Sequence, residues 1–293
     1  MKNIYKQSQL IIAPVFLIAA VTTFATIKAE ASLLAYDGFA YSAFSSLDAL
    51  DGGEGWASGW SDPGSSGPGN WIVTPAGTNF SNTSSVGSVG NAVTLTGEDP
   101  DGFYFAERQL SGTYDTADAN VDQYLAYTVD LYNGSADSSV RYSNAPGSAG
   151  VAFELSDGGT TLSISRNGTP FASEEVTTYG ATNLIVVEIS KSYASSESLY
   201  FHVWLNPDDF SSVDSMGTPT LRGQITTGYM SYEYIGIGMD SATGPSIDEL
   251  RVANDNFSDL QLTTVVPEPS NYAWLIGISA LSLAALSRRR AVR

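Results

Sequence analysis

The chain has 293 residues, with 13 basic and 31 acidic side chains, one histidine and no cysteine. Without cysteine there are no disulfides, thiol nucleophiles or thiolate metal sites. A single histidine, His202, excludes multi-histidine metal centres and makes any Ser-His-Asp triad depend on one residue.

The charge is unevenly distributed. Lys2, Lys6 and Lys28 lie near one end and Arg288, Arg289, Arg290 and Arg293 at the other; with these and with Glu30 and Glu268 set aside, residues 32–266 hold six basic and 29 acidic residues, a net of −23. Such a surface repels nucleic acid and anionic lipid and keeps a protein soluble.

In chain order, Lys2 and Lys6 precede an apolar run from Leu10 to Ala20, and Ala29-Glu30-Ala31 follows with small residues at the −3 and −1 positions. This is the pattern of a secretory signal peptide over residues 1–31, cut by signal peptidase to leave Ser32 first; a cut after Ala29 is the alternative. The apolar core is short for a lasting span. Export across the inner membrane is expected.

From residue 32 to 263 the chain is rich in Gly, Ser, Thr, Tyr and Val and lacks helical periodicity. Short β-rich runs are separated by turn clusters. The predicted strands are 124–132, 150–155, 161–166, 184–190, 199–205, 232–239 and 247–253. In LYFHVWL, Leu199, Phe201, Val203 and Leu205 share one face and Tyr200, His202 and Trp204 the other. In TLSISR, Leu162 and Ile164 alternate with serines, which predicts a half-exposed strand. Asn167-Gly168 after it is a strong hairpin signal. The stretches 61–70 and 81–91 read as long surface loops. These features predict one all-β domain, a β-sandwich or barrel.

The opening of this region carries Tyr36-Asp37-Gly38-Phe39 and then Gly52-Gly53-Glu54-Gly55-Trp56, and its far end carries Asp248-Glu249-Leu250-Arg251-Val252. With the aromatic strand ending at Asn206-Pro207, this resembles a family of secreted bacterial proteins. The resemblance implies a concanavalin-like or laminin-G-like jelly roll.

The tail, residues 264–293, reads Pro267-Glu268-Pro269, an apolar run from Tyr272 to Leu286, and Arg288-Arg289-Arg290. The 15-residue run would be about 22 Å long as a helix, against a hydrocarbon core of about 30 Å. Arginines after the run keep that end cytoplasmic, and the prolines hold the approach extended. A permanent anchor and a buried terminal helix are the alternatives. The three parts in this order resemble the PEP-CTERM sorting signal of Gram-negative bacteria. The resemblance implies a transient inner-membrane helix over 272–286, cleavage by an exosortase near Pro267-Glu268-Pro269, and delivery to the outer surface or the exopolysaccharide matrix.

Several groups in the body are candidates for chemistry. Sugars stack on aromatic rings and bond to polar side chains. Trp56, Trp60 and Trp71, with Asp51, Asp62 and Asn70 nearby, are therefore candidate carbohydrate contacts, with packing as the competing reading. Asp99 and Asp101 in one acidic turn and Asp255 in another are candidate ligands of a structural calcium ion, although neither turn completes an EF-hand loop; no other cofactor is expected. A glycoside hydrolase needs two carboxylates across a cleft, and the Glu-x-Asp-x-x-Glu spacing of one common jelly-roll scaffold is absent. Glu154, Glu188, Glu233 and Glu249 lie in predicted strands, where solvent contact is the plain reading. His202 reads as an ordinary sheet histidine. The expectation is a non-catalytic, polysaccharide-associated protein of the cell surface or matrix. A polysaccharide-degrading hydrolase or lyase, or a purely structural matrix component, is the alternative.

Overall fold

Alternation of apolar and polar residues, repeated from strand to strand, builds two antiparallel sheets that share one core. The computed structural model describes residues 33–262 apart from 62–69, 76–79, 82–84, 87–89, 97–103, 116–121, 132–136, 149, 179–181, 192–197, 227–229, 240–244, 255 and 261. The strands in chain order are β1 (Leu33–Asp37), β2 (Asn70–Thr74), β3 (Phe80–Ser81), β4 (Ser85–Val86), β5 (Ala92–Thr96), β6 (Tyr104–Asp115), β7 (Gln123–Asp130), β8 (Ser138–Ser143), β9 (Val151–Ser156), β10 (Thr161–Arg166), β11 (Thr169–Glu175), β12 (Thr182–Lys191), β13 (Leu199–Leu205), β14 (Leu221–Ile225), β15 (Ser231–Met239) and β16 (Ser246–Asn254). The first sheet has eight strands in the order β14-β13-β12-β7-β16-β5-β2, with β1 beside β16; the second has six in the order β11-β10-β9-β8-β15-β6. Strands β3 and β4 form a separate small hairpin.

The inward rows follow the pleat. Leu125, Tyr127 and Val129 of β7, Ile185 and Val187 of β12, and Phe201 and Val203 of β13 meet Val140 of β8, Phe153 of β9, Ile164 of β10 and Ile235 of β15 in one buried cluster. The Phe153 and Phe201 rings lie 6.1 Å apart across the two sheets. Each fully buried side chain of this size stabilises the fold by about 1.5–3 kcal/mol. Asn167 and Gly168 take φ of 55° and 74°, and the hairpin between β10 and β11 forms where it was expected.

The outer face of the first sheet is apolar over part of its area. Tyr124, Ala126, Leu184, Val186 and Trp204 point away from the sandwich core and are covered by Phe210, Met216, Phe257 and Leu260. These come from 3-10 turns at Asp214–Met216 and Phe257–Leu260 and from the segment before the first turn. Beyond this cover, Glu188, His202, Arg222, Ser190, Tyr200 and Gln224 lie on the same face.

Three expectations are corrected. Ser163 and Ser165 are buried rather than half-exposed, because both hydroxyls donate to the Glu154 carboxylate at 3.2 and 2.7 Å. The expected loop 81–91 contains β4, and Val86 packs into the outer apolar cluster. Glu249 does not face solvent: it is fully buried in an ion pair with Arg251 at 2.6 Å, and the Tyr36 hydroxyl donates to it at 3.3 Å.

Among the described residues no helix is long and apolar enough to cross a membrane. The signal segment with Ala29 and Ala31, the tail with Pro267, Glu268, Pro269, Arg288, Arg289 and Arg290, and both predicted flanking helices lie outside the described residues.

Candidate functional site

Strand β1 ends at Asp37, and the segment Gly52–Ser61 folds back over it. Glu54 bridges Tyr36 of β1 and, two residues later, Trp56 bridges Leu110 of β6. This short run therefore crosses from the first sheet to the second and closes one side of the sandwich. Asp37 Oδ2 accepts hydrogen bonds from Arg108 Nη1 at 2.6 Å, the Tyr41 hydroxyl at 2.7 Å and Trp60 Nε1 at 2.8 Å. Its Oδ1 accepts from the Phe39 amide at 2.8 Å. Burial pushes the Asp37 carboxyl above its ordinary range, and Arg108 and the hydrogen bonds oppose that shift. Burial and the adjacent carboxylate also push the Tyr41 phenol up. The Arg108 guanidinium stacks over Trp56 at 4.9 Å from the ring centroid, and Trp56 Nε1 donates to the Tyr36 carbonyl at 2.9 Å.

The three candidate tryptophans thus have different roles. Trp56 and Trp60 commit their indole N–H groups inside the protein, and Trp60 is 1% exposed. Both hold the Asp37–Arg108 corner, the packing role that stood beside sugar contact as the competing reading. Trp71, on β2, is also buried, but its Nε1 makes no hydrogen bond. A buried N–H of this kind costs about 1–3 kcal/mol unless a partner arrives.

Trp60 and Trp71 are brought together at one cleft, which Ser46, Leu47, Asp48, Ser61 and Ala106 complete. Trp56 does not reach it. The cleft is about 20 Å³, room for one water or one hydroxyl group. Two residues before Ser46 stands Phe44, 74% exposed, with φ of 64°. A bulky residue in the left-handed region is strained, and such strain collects at functional positions. Phe44 is held by its amide, which donates to the Val73 carbonyl at 2.7 Å, and by the turn in which Ser45 Oγ donates to the Ser42 carbonyl at 2.6 Å. An exposed aromatic ring two residues from a hydroxyl-sized cleft, with an unpaired indole N–H on one of the lining residues, offers a face on which a sugar can stack. Phe44 was not predicted. Its signal in the sequence is faint: an aromatic residue in the serine-rich run Ser42–Ser46.

No family model matches the chain, and no curated protein matches it. Solved structures similar to it include a protein of unknown function from Shewanella oneidensis MR-1, at 9% identity and a TM-score of 0.43 over 84% of this chain and 96% of that one. Others are a carbohydrate binding module from Bacillus subtilis, at 10% identity and a TM-score of 0.39 over 67% and 95%, and an alginate lyase of polysaccharide lyase family 7, at 12% identity and a TM-score of 0.34 over 60% and 83%. With scores below 0.5, none of these likenesses bears on what this chain binds.

Among the described residues no group of three or more His, Asp or Glu side chains stands where it could hold a metal ion. The calcium candidates Asp99, Asp101 and Asp255 lie outside the described residues. Of the four acids predicted in strands, Glu154 and Glu249 are engaged as described above. Glu188 pairs with His202, Oε2 to Nδ1 at 2.7 Å. That pairing was not readable from either strand alone.

Proposed function

We propose that this is an exported, non-catalytic, carbohydrate-binding protein of the cell surface or extracellular matrix, built on a concanavalin-like jelly roll. The observation that carries the binding reading is the strained, exposed Phe44, two residues from a hydroxyl-sized cleft lined by Trp71, whose indole N–H is unpaired. The lining of the cleft includes Asp48 and no basic side chain, which favours neutral glycans at this site. In this reading signal peptidase removes residues 1–31. The tail holds the chain transiently in the inner membrane until an exosortase cuts near Pro267-Glu268-Pro269. If the full-length protein stays in the inner membrane at its uncut mass in an exosortase-bearing host, the sorting part of the proposal is overturned.

The binding part is tested with a panel of soluble neutral polysaccharides in affinity electrophoresis, with and without calcium. The wild-type chain is expected to be retarded by at least one of them. Phe44→Ala should weaken that retardation about tenfold, the scale of one lost aromatic contact. It should leave stability within about 0.5 kcal/mol, because an exposed side chain is removed. Absence of any saturable binding favours a purely structural matrix role instead. Turnover of a polysaccharide that is lost on changing one acidic residue would overturn the non-catalytic reading.

A further inference from the structure

A second polar constellation stands on the outer face of the first sheet, where the apolar cover ends. Register places Tyr124, Glu188, His202 and Arg222 directly opposite one another across β7, β12, β13 and β14. Exposure rises along this row: Tyr124 is buried against Phe257, the Glu188 and His202 side chains are 12% and 29% exposed, and Arg222 is exposed. The next row toward the same end holds Ser190, Tyr200 and Gln224, and Gln224 Nε2 donates to the Tyr200 hydroxyl at 3.4 Å.

The charge distribution marks out this patch. Three of the six cations in the body, Arg108, Arg141 and Arg251, are engaged by Asp37, Glu107 and Glu249. These three ion pairs each have at least one partner almost fully enclosed, whereas the Glu188–His202 pair is open on both sides. Arg222 is exposed and stands directly opposite His202 in the strand register. Glu188 fixes His202 through Nδ1, which leaves Nε2 and Glu188 Oε1 for a ligand.

We infer that this patch is a binding site for a sugar acid, a uronate residue, distinct from the cleft at Trp71. A guanidinium binds a carboxylate through two parallel N–H groups. The neighbouring groups are of mixed character: Glu188 Oε1 accepts, His202 Nε2 and the Tyr200 hydroxyl accept or donate, and the Gln224 amide does both. A polyhydroxy monocarboxylate uses all of them. A phosphate dianion does not: it brings almost no donors for Glu188 Oε1 or the Gln224 carbonyl, and its second charge adds to the repulsion from Glu188. Adjacent strands lie about 4.8 Å apart and successive residues on one face about 6.8 Å, so the patch is one to two sugar rings across.

The test is calorimetric titration of the full chain with trigalacturonate and trimannuronate, and with the same trimers methyl-esterified at every carboxyl; galacturonate monomer separates recognition of the free acid from recognition of a polymer residue. Wild type is expected to bind at least one acid trimer saturably, and the corresponding ester about tenfold or more weakly. Arg222→Ala should lose about tenfold or more and Arg222→Lys less, with thermal midpoints unchanged because the side chain is exposed. Phe44→Ala should leave uronate binding intact, so failure at this patch and failure at the cleft are read separately. Equal binding of acid and ester, wild-type affinity in Arg222→Ala, or no saturable binding of either acid trimer overturns the inference; the first and last need no variant.

Discussion

Replacing Asp37 with alanine is expected to destabilise the protein by about 3–5 kcal/mol, the cost of leaving one member of a buried ion pair without its partner. Asp37 and Arg108 side chains are each 1% exposed, so water cannot replace the lost carboxylate. The same change also removes the acceptor of Tyr41 and Trp60. In a domain of this size the thermal midpoint should fall by on the order of 10 °C. Near-ultraviolet circular dichroism should lose intensity with it, because Trp56 and Trp60, 5.9 Å apart, are both oriented by this corner. The paired change of Asp37 to leucine and Arg108 to methionine should cost less than either single change, since it removes both charges together. A midpoint within 2–3 °C of wild type for Asp37→Ala, well short of the drop that 3–5 kcal/mol implies, would show that the corner relaxes and admits water, contrary to the packing described.

Gly55→Ala is expected to cost about 2–4 kcal/mol, combining an unfavourable backbone conformation with overpacking. Gly55 has φ of 80°, and a Cβ there would stand 1.8 Å from the Leu34 carbonyl oxygen. That oxygen belongs to β1, which is paired with β16 on its other side, so it cannot yield without disturbing the sheet. Gly168→Ala separates the two contributions. Gly168 has φ of 74° but nothing within 4 Å of the added carbon, so it should cost only the conformational part, about 1 kcal/mol. Chemical unfolding of the two variants side by side checks the difference. Equal destabilisation would remove the close approach of residue 55 to β1 as the reason for the glycine.

These two experiments address the motifs that stand out in the sequence, Tyr36-Asp37-Gly38-Phe39 and Gly52-Gly53-Glu54-Gly55-Trp56. The structure gives them a common purpose. Asp37 gathers three side-chain donors, the glycines let the chain pass close to β1, and Trp56 links that passage to β6. Asp248 to Val252 serves similarly: Glu249 takes φ of 53° in a bulge of β16 and pairs with Arg251 beneath the last 3-10 turn, whose Leu260 carbonyl accepts from Arg251 Nη1. All three motifs build the scaffold, and both ligand-binding readings rest on other residues, Phe44 and Trp71 at the cleft and Arg222 with His202 on the sheet face.

How far the sequence can be read follows from the range of each interaction. The all-β class, the hairpin at Asn167-Gly168, and the division of Leu199–Leu205 into one core-facing and one outward row depend on neighbours two residues apart, and they are legible without coordinates. The long strand β6 was not, because Tyr104–Asp115 mixes charged and apolar residues and faces buried ion pairs as well as core. The roles of Trp56, Trp60 and Trp71 were open in the sequence, since a tryptophan near glycines and acids suits both packing and sugar stacking; hydrogen bonds to Tyr36 and Asp37 give the first two packing roles, and the unpaired indole N–H sets Trp71 apart. His202 is a plain sheet residue by pattern, and it becomes half of a pair only when β12 and β13 align Glu188 opposite it. Local periodicity fixes which way a side chain points, while its partners are set by strand register and by the segments that return across the sheets, and those are properties of the folded chain alone.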